Sequence, residues 1–416
     1  MSDGQRPRVA AQVRDLASLY RDDTAVALSR TILIPSLSGD EEKVIREIDA
    51  IAHEFGLHDT RIDGLGNLIL RVGRGPRVLA IDAHVDTVDT GDLSQWEFDP
   101  FCGTVQSESV LGRGSVDQEG GAASMLTGAR ILTELGYEGE YSIYFTFTVM
   151  EEDCDGLCWN YLIENQGLRP DFAVITEPTN LGVYRGHRGR MEMSVRFSGV
   201  SAHGSAPHRG VNAIYSGARA ALGVEELNAR LQPDPFLGPG TAVVSRVRSS
   251  APSLCAVPDG AELYIDRRLT WGETRETSVA EIDAIAVPAW RSVAGNDAPD
   301  SLKPVVSVPR YDKPGYTGAT HPQDAYFPTW KIEEDHPLVQ AGLRTAELAT
   351  DAPATVGKWT FSTNGVALCG KHGIPTIGFG PGNEIFAHAP NEKTPIQHLE
   401  IASAFYGLLP TLLEDI

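Results

Sequence analysis

Cysteine is scarce in this sequence, and the few cysteines are odd in number. The 416 residues include five of them, at Cys102, Cys154, Cys158, Cys255 and Cys369. A secreted scaffold held together by disulfides needs a denser and even set. We therefore expect reduced thiols and a cytoplasmic protein.

Long apolar runs and an excess of positive charge are missing as well. No run of about 18 apolar residues is present, so no transmembrane helix is predicted, and the opening residues lack the apolar region of a secretory signal. Lys plus Arg number 35 against 56 Asp plus Glu, a net charge of −21. Nucleic acid and anionic membranes favour clustered Lys and Arg, so we expect neither as a partner.

What the sequence does contain is an alternation of helix-like and strand-like segments. This alternation predicts an α/β fold with a mixed, largely parallel sheet flanked by helices. Helical patterns cover residues 9–55 and 121–135, and apolar, β-branched runs cover 67–72, 78–83, 141–150 and 172–176.

The pattern changes after residue 186. Strand and helix candidates then follow in the order β-α-β-β-α-β, which is ferredoxin-like, and a Pro-, Gly- and Tyr-rich stretch at 310–330 predicts a linker. We predict the first part of the α/β domain at 1–186, an inserted ferredoxin-like α+β domain with its linker at 187–330, and the rest of the α/β domain at 331–416.

Acidic and histidine side chains follow several of the predicted strands. Because ligand sites gather at the carboxyl ends of parallel strands, we expect these residues to converge although they are far apart in the chain. The set comprises His84, Asp86, Glu151, Glu152, Glu177 and His388, with Asp117 just before the predicted helix at 121–135.

The types of these residues suit a metal ion. Imidazoles and carboxylates without a thiolate favour Zn²⁺, and less tightly Mn²⁺ or Co²⁺. His84 and Asp86 are two residues apart on an extended segment, so Asp86 can orient the His84 ring. Of the adjacent Glu151 and Glu152, one can bind metal while the other acts as a general base.

Simpler explanations compete for some positions. Asp117 is also a favoured helix N-cap, and an acidic run such as that at 151–153 is often a solvated turn. Ser38 and Glu41 form a capping-box pattern ahead of a helix. Cys154 and Cys158 invite a metal or redox interpretation, but we favour buried structural thiols.

Five short stretches, taken in order, carry a family resemblance: AHVDTV at 83–88, GRGSVD at 112–117, EED at 151–153, TEPT at 176–179 and AHAPNE at 387–392. Over nearly its whole length the sequence resembles the co-catalytic zinc hydrolase family of acetylornithine deacetylase, succinyl-diaminopimelate desuccinylase, aminoacylase and glutamate carboxypeptidase. CDGLCW at 154–159 and STNG at 362–365 resemble the branch of that family linked to selenium metabolism.

The resemblance implies a dinuclear centre of two divalent ions, zinc first, with cobalt or manganese as alternatives. It implies that Glu151 is the general base and that Asp86 is a clamp behind the ligands. The implied ligands are Asp117 between the ions, His84 and Glu177 on one ion, and Glu152 and His388 on the other.

The resemblance also implies that the inserted domain is a lid that joins two subunits in a homodimer. His203 would reach the partner's active site and polarise the substrate carbonyl, with His208 as the alternative. Arg268 would clamp a substrate carboxylate with its fork of donors, unless it forms only a structural ion pair with Asp266 or Glu262.

Two asparagines complete the candidate substrate-binding set. Asn212 precedes a predicted helix, where a helix cap is favoured over a substrate contact. Asn364 stands at a position where many relatives carry Asp.

These observations predict a metal-dependent hydrolase that cleaves a linear amide C–N bond in a small, carboxylate-bearing molecule. The first prediction is an N-acyl amino acid deacylase or desuccinylase. Hydrolysis of N-carbamoyl or ureido compounds comes second, and dipeptidase or carboxypeptidase activity third. From another class, a non-catalytic metal-binding assembly protein is the alternative.

Overall fold

The apolar runs of the sequence form the strands of a central sheet. The computed structural model of the protein describes residues 6–414. The chain divides into two units. The first comprises the residues up to His187, Asp312–His321 and the residues from Lys331 onward, and the second comprises Arg188–Tyr311 and Pro322–Trp330.

Except for the helix at Leu157–Glu164, which was not predicted, the helices fall close to the segments where the sequence indicates them. None of the helices in the described part of the chain combines the length and apolar character needed to cross a bilayer. In chain order they are α1 (Arg6–Leu19), α2 (Arg21–Ile32), α3 (Glu42–Glu54), α4 (Glu119–Glu134), α5 (Leu157–Glu164), α6 (Ala213–Asn228), α7 (Arg275–Ala294), α8 (Pro337–Thr350) and α9 (Ile396–Leu413).

The strands form two main sheets, one in each unit. In chain order they are β1 (Thr60–Ile62), β2 (Leu68–Val72), β3 (Arg77–His84), β4 (Tyr141–Thr148), β5 (Phe172–Ile175), β6 (Val183–Tyr184), β7 (Gly189–Ser198), β8 (Thr241–Ser250), β9 (Gly260–Leu269), β10 (Val305–Ser307), β11 (Tyr326–Phe327), β12 (Val356–Gly357) and β13 (Thr376–Gly378).

The sheet of the first unit has the order β1-β2-β4-β3-β5-β13-β6-β12. Its centre is parallel, because β3 pairs with β4 and β5, and β13 pairs with β5, all in the same direction. Every residue of β5 is buried, and so are the last six of β3. Strands buried on both faces are typical of a parallel sheet covered by helices, so the predicted α/β architecture is confirmed.

The second unit is an antiparallel sheet with two helices. Its strand order is β8-β9-β7-β10, and α6 and α7 supply apolar side chains to one shared core with the sheet, including the buried Trp290. The chain order is β-α-β-β-α-β, the ferredoxin-like arrangement. The predicted linker contains short paired strands instead: β11 pairs with β7, and Arg310–Tyr311 pairs with Gln323–Asp324.

The predicted capping box at the start of α3 is wrong. The helix begins at Glu42 with Glu41 as its N-cap residue, and no side chain caps it. Ser38 Oγ instead donates to Asp86 Oδ2 at 2.6 Å, and Glu41 Oε1 accepts from the Met150 N–H at 3.0 Å. Both side chains therefore form hydrogen bonds with residues distant in the sequence instead of capping the helix.

Candidate metal centre

The carboxyl ends of the four central parallel strands carry the predicted metal-ligating residues. His84 is the last residue of β3, and Glu177 follows β5 by two positions. Glu152 lies in the turn after β4, and His388 lies in the loop after β13. Because these strands are parallel neighbours, their carboxyl ends share one edge of the sheet, and the predicted convergence is observed.

Asp117 stands between the two histidines. Its Oδ1 lies 3.1 Å from His84 Nε2, and its Oδ2 lies 3.2 Å from His388 Nε2. The helix α4 begins at Glu119 with Gln118 as its N-cap residue, so Asp117 is not the helix cap. One carboxylate thus presents a separate oxygen to each half of the cluster.

Each half of the cluster holds further carboxylates. In the first half, Glu177 Oε1 lies 3.4 Å from His84 Nε2 and Glu151 Oε2 lies 3.9 Å from it. In the second half, Glu152 Oε2 lies 3.0 Å from His388 Nε2. Two sets of three residues could each hold a metal ion, since the potential ligand atoms within a set all lie within 4.8 Å of one another. One set is His84, Glu151 and Glu177, and the other is His84, Asp117 and Glu152.

The residues fit a pair of divalent ions. Glu177 Oε2 and Glu151 Oε1 are buried and have no hydrogen-bond partner among the described residues, which is costly unless a cation or a water satisfies them. Zinc holds oxygen and nitrogen ligands at about 2.0–2.2 Å, so ligand atoms at the corners of such a tetrahedron are about 3.4 Å apart. The observed separations within each half are of that size.

Burial and mutual charge perturb every titrating group of the cluster. Burial raises the pKa of Glu177 to about 8 and the pKa of Glu152 to about 7. Hydrogen bonds to Asp117 and Glu152 raise the pKa of His388 to about 10. Asp117 is also desolvated, yet its hydrogen bonds to the histidines hold its pKa below the usual value. Burial therefore disfavours negative charge on Glu177 and Glu152, and a bound cation would offset that cost.

Asp86 supports the cluster in two ways. Its backbone oxygen accepts a hydrogen bond from His84 Nδ1 at 2.8 Å, whereas its carboxylate is 3.5 Å from that nitrogen. The carboxylate accepts the N–H groups of Glu151 and Glu152 at 3.1 and 2.9 Å. The predicted orientation of the His84 ring is therefore carried mainly by the backbone of Asp86, and its side chain holds the carboxylate turn, residues 149–152.

Comparison with known proteins shows the family of the chain. Residues 80–411 match the profile of Peptidase family M20/M25/M40. Uncharacterized protein YgeY of Escherichia coli (strain K12) is 47% identical over 398 residues, 96% of this chain and 96% of that one. The chain belongs to the M20 peptidase family. The predicted resemblance and the predicted hydrolase class are thereby confirmed.

More distant M20 relatives are similar over most of their length. A succinyl-diaminopimelate desuccinylase of Magnetococcus marinus is 26% identical over 402 residues, 92% of this chain and 97% of that one. The crystal structure of YXEP from Bacillus subtilis, described as a dinuclear metal binding peptidase of the M20 family, shares the fold with a TM-score of 0.71. It is 15% identical and covers 96% of this chain and 100% of its own.

Glu392 is a buried residue beside the cluster whose supporting contacts the sequence did not reveal. Its carboxylate accepts the N–H groups of Val116 and Asp117 at 2.7 and 3.0 Å, and an Arg113 guanidinium N–H at 2.6 Å. The fully buried Glu392 thus fixes the loop that presents Asp117. Its place at the end of the 387–392 motif was the one available signal.

The second unit carries three of the other predicted catalytic and substrate-binding residues, His203, Asn212 and Arg268. His203 is exposed, and its Nδ1 accepts from the Ser205 N–H at 3.1 Å. Asn212 Oδ1 accepts from the N–H of Ile214 at 2.9 Å and caps α6, which confirms the favoured explanation for this residue. Arg268 donates from Nε and Nη2 to the two oxygens of Asp266 at 2.9 and 3.1 Å, so the ion pair that competes with a clamp is present.

Asn364 lies in a buried polar cluster of the first unit. Its Nδ2 donates to Asp82 Oδ2 at 2.8 Å, and its Oδ1 accepts from the Gly156 N–H at 3.0 Å. Cys158 also donates to Asn364 Oδ1, at 3.1 Å. Both amide atoms are therefore used within the fold. Cys154 and Cys158 are buried and form no disulfide, as predicted for structural thiols.

Proposed function

We propose that this protein is a dinuclear zinc hydrolase that cleaves the amide C–N bond of a small N-acyl amino acid. The observation that carries the proposal is Asp117, whose two oxygens face His84 and His388 separately within a cluster of carboxylates. When bound, such ions act as Lewis acids toward a substrate carbonyl and make water more acidic. His84 and Glu177 would hold one ion, Glu152 and His388 the other, and Asp117 both.

The proposed general base is Glu151. Its carboxylate is buried, one oxygen lies 3.9 Å from His84 Nε2, and the other has no hydrogen-bond partner among residues 6–414. Burial raises the pKa of Glu151 well above its usual value, which favours its holding a proton within the reaction. Glu151 takes a proton from water as the water oxygen attacks the carbonyl carbon. It then donates that proton to the leaving nitrogen as the C–N bond breaks, leaving an acid and an amine.

The substrate class is proposed from relatives and from charge. Proteins named desuccinylase and acetylornithine deacetylase are 26% identical over most of this chain, which favours acyl amino acids over dipeptides. Arg268 as the clamp for a substrate carboxylate stays a prediction, as does a substrate contact by Asn212 or Asn364. The free thiols favour a reducing, cytoplasmic setting.

A substrate screen on the zinc-loaded protein tests this function. The panel contains N-acetyl and N-succinyl amino acids, N-carbamoyl amino acids and dipeptides, and free amine and carbamate are measured separately. We expect amine release from the acyl compounds. Turnover confined to carbamoyl compounds or dipeptides would replace the substrate class, and two bound ions without turnover on any member would favour the metal-binding assembly protein.

We also propose that the second unit joins two copies of the chain. The strand β8 lies at the edge of its sheet, pairs only with β9 among the described residues, and exposes Val243 and Val247. A ten-residue exposed edge with apolar side chains is normally covered by another strand. Pairing of β8 with its copy across a two-fold axis would cover both edges at once.

His203 is proposed to act across that interface. Because its Nδ1 accepts from the Ser205 N–H, the neutral imidazole carries its proton on Nε2, the form that donates to a developing oxyanion. Because the His203 side chain is exposed, it is accessible to a second copy of the chain. His208 is also exposed and remains the alternative.

Mixing two inactive variants tests the crossed arrangement. His203→Ala is expected to lower kcat about 10²- to 10³-fold, the usual loss for one oxyanion donor. When His203→Ala and Glu151→Gln chains are unfolded and refolded together, one intact site forms in each mixed dimer. Random pairing then restores about a quarter of the wild-type activity. No recovery would contradict the crossed role, and His208→Ala serves as the matched control.

A further inference from the structure

The backbone N–H groups of the carboxylate turn are held by side chains. Four consecutive N–H groups, those of residues 149 to 152, each donate to a side-chain oxygen. The Val149 N–H donates to Asn67 Oδ1 at 3.1 Å and the Met150 N–H donates to Glu41 Oε1 at 3.0 Å. The N–H groups of the two following glutamates donate to Asp86, as described above.

The residue in the middle of this turn has a backbone conformation that residues other than glycine rarely adopt. Met150 has φ of 65° although it is not glycine. Residues in this region persist only where their surroundings hold them. The Met150 N–H is held by Glu41, whose side chain is fully buried. The next residue in the chain is the proposed base, Glu151.

Ser38, on the loop that also carries Glu41, supports the carboxylate turn through Asp86. Its Oγ donates to Asp86 Oδ2 at 2.6 Å, the oxygen that also accepts from the Glu152 N–H. Glu41 therefore supports the carboxylate turn directly and Ser38 supports it through Asp86, and the two residues lie three positions apart on the loop that precedes α3. This explains why neither side chain caps that helix.

We propose that Glu41, aided by Ser38, is a positioning residue for the carboxylate turn. It holds Met150 in its left-handed conformation and so aims the Glu151 carboxylate at the metal cluster. Neither Glu41 nor Ser38 is a ligand or a proton carrier in this role. The proposal rests on the proposed function, because it assumes that Glu151 moves the proton.

Two substitutions of Glu41 test whether its hydrogen-bond acceptor or only the size of its side chain supports the turn. Glu41→Gln keeps an oxygen where the Met150 N–H needs one, and Glu41→Met keeps the length of the side chain without that oxygen. We expect Glu41→Met to speed hydrogen exchange of the 149–152 amides at least 10-fold. Since a misplaced catalytic group costs up to about 100-fold in rate, we expect its kcat to fall 10- to 100-fold, with KM and the two bound ions retained. Glu41→Gln should stay near wild type in hydrogen exchange and in kcat.

Ser38→Ala keeps the proposal testable if Glu41→Met does not fold. It should speed exchange at residue 152 and lower kcat several-fold. Ser142→Ala is the matched control, because Ser142 Oγ also donates one hydrogen bond, to the Gly75 backbone oxygen, at the opposite end of β4. It should change neither quantity.

The outcomes distinguish the two proposals. Wild-type exchange in Glu41→Met, or faster exchange with an unchanged kcat, would overturn the positioning role, and so would equal behaviour of Ser38→Ala and Ser142→Ala. A wild-type protein that turns over no substrate would instead overturn the proposed function. Exchange measured without substrate still decides whether Glu41 holds the turn.

Discussion

Glu151→Gln is expected to lower kcat by about 10²- to 10⁴-fold, the usual contribution of a positioned general base. The amide has nearly the same shape as the carboxylate but cannot take a proton from water. Because Glu151 is proposed as a base and not as a ligand, the protein should still bind two ions. Steady-state kinetics and metal analysis of the same sample measure both quantities.

The neighbouring residue provides the control. Glu152→Gln changes the next side chain in the same way, but Glu152 lies 3.0 Å from His388 and is a proposed ligand. It should lose one ion, and its activity should recover in part at high zinc concentration. If Glu151→Gln lost metal as well, Glu151 would be a ligand, as its closeness to His84 and Glu177 also allows.

Asp117→Asn is expected to weaken the binding of both ions together. Residues behind the ligands typically change metal affinity by 10- to 100-fold, and the loss of a bridging carboxylate should exceed about 100-fold for each ion. Asp117 alone among the proposed ligands contacts both histidines. Titration with zinc against a competing chelator measures the two affinities.

A proposed ligand of one ion only provides the comparison for Asp117. Glu177 lies beside His84 alone, so Glu177→Gln should weaken one ion and leave the other near its wild-type affinity. Equal effects of the two substitutions would mean that Asp117 does not bridge.

The strand ends and their ligands could be predicted from the sequence because both signals are local. Buried strands such as β4 and β5 appear as continuous apolar runs, and an acid or histidine just beyond such a run lies at the edge where ligands gather. The antiparallel unit was predictable for the same reason, since its strand and helix patterns follow one another in order.

The supporting residues could not be predicted because their partners are distant in the chain. Ser38 and Glu41 match a capping box, and nothing local shows that Asp86 and Met150 compete for them. Glu392 serves a loop 275 positions away. The stretch at 310–330 looks like a linker because Pro and Gly disfavour long strands, although short ones still pair there.

Anomalous diffraction from crystals of the zinc-loaded protein tests the dinuclear centre most directly. We expect two zinc peaks about 3.5–4 Å apart, the usual spacing of paired catalytic ions, with one Asp117 oxygen on each. His84 and Glu177 should contact one peak, and Glu152 and His388 the other. A single peak, or two peaks with Asp117 on only one of them, would contradict the account.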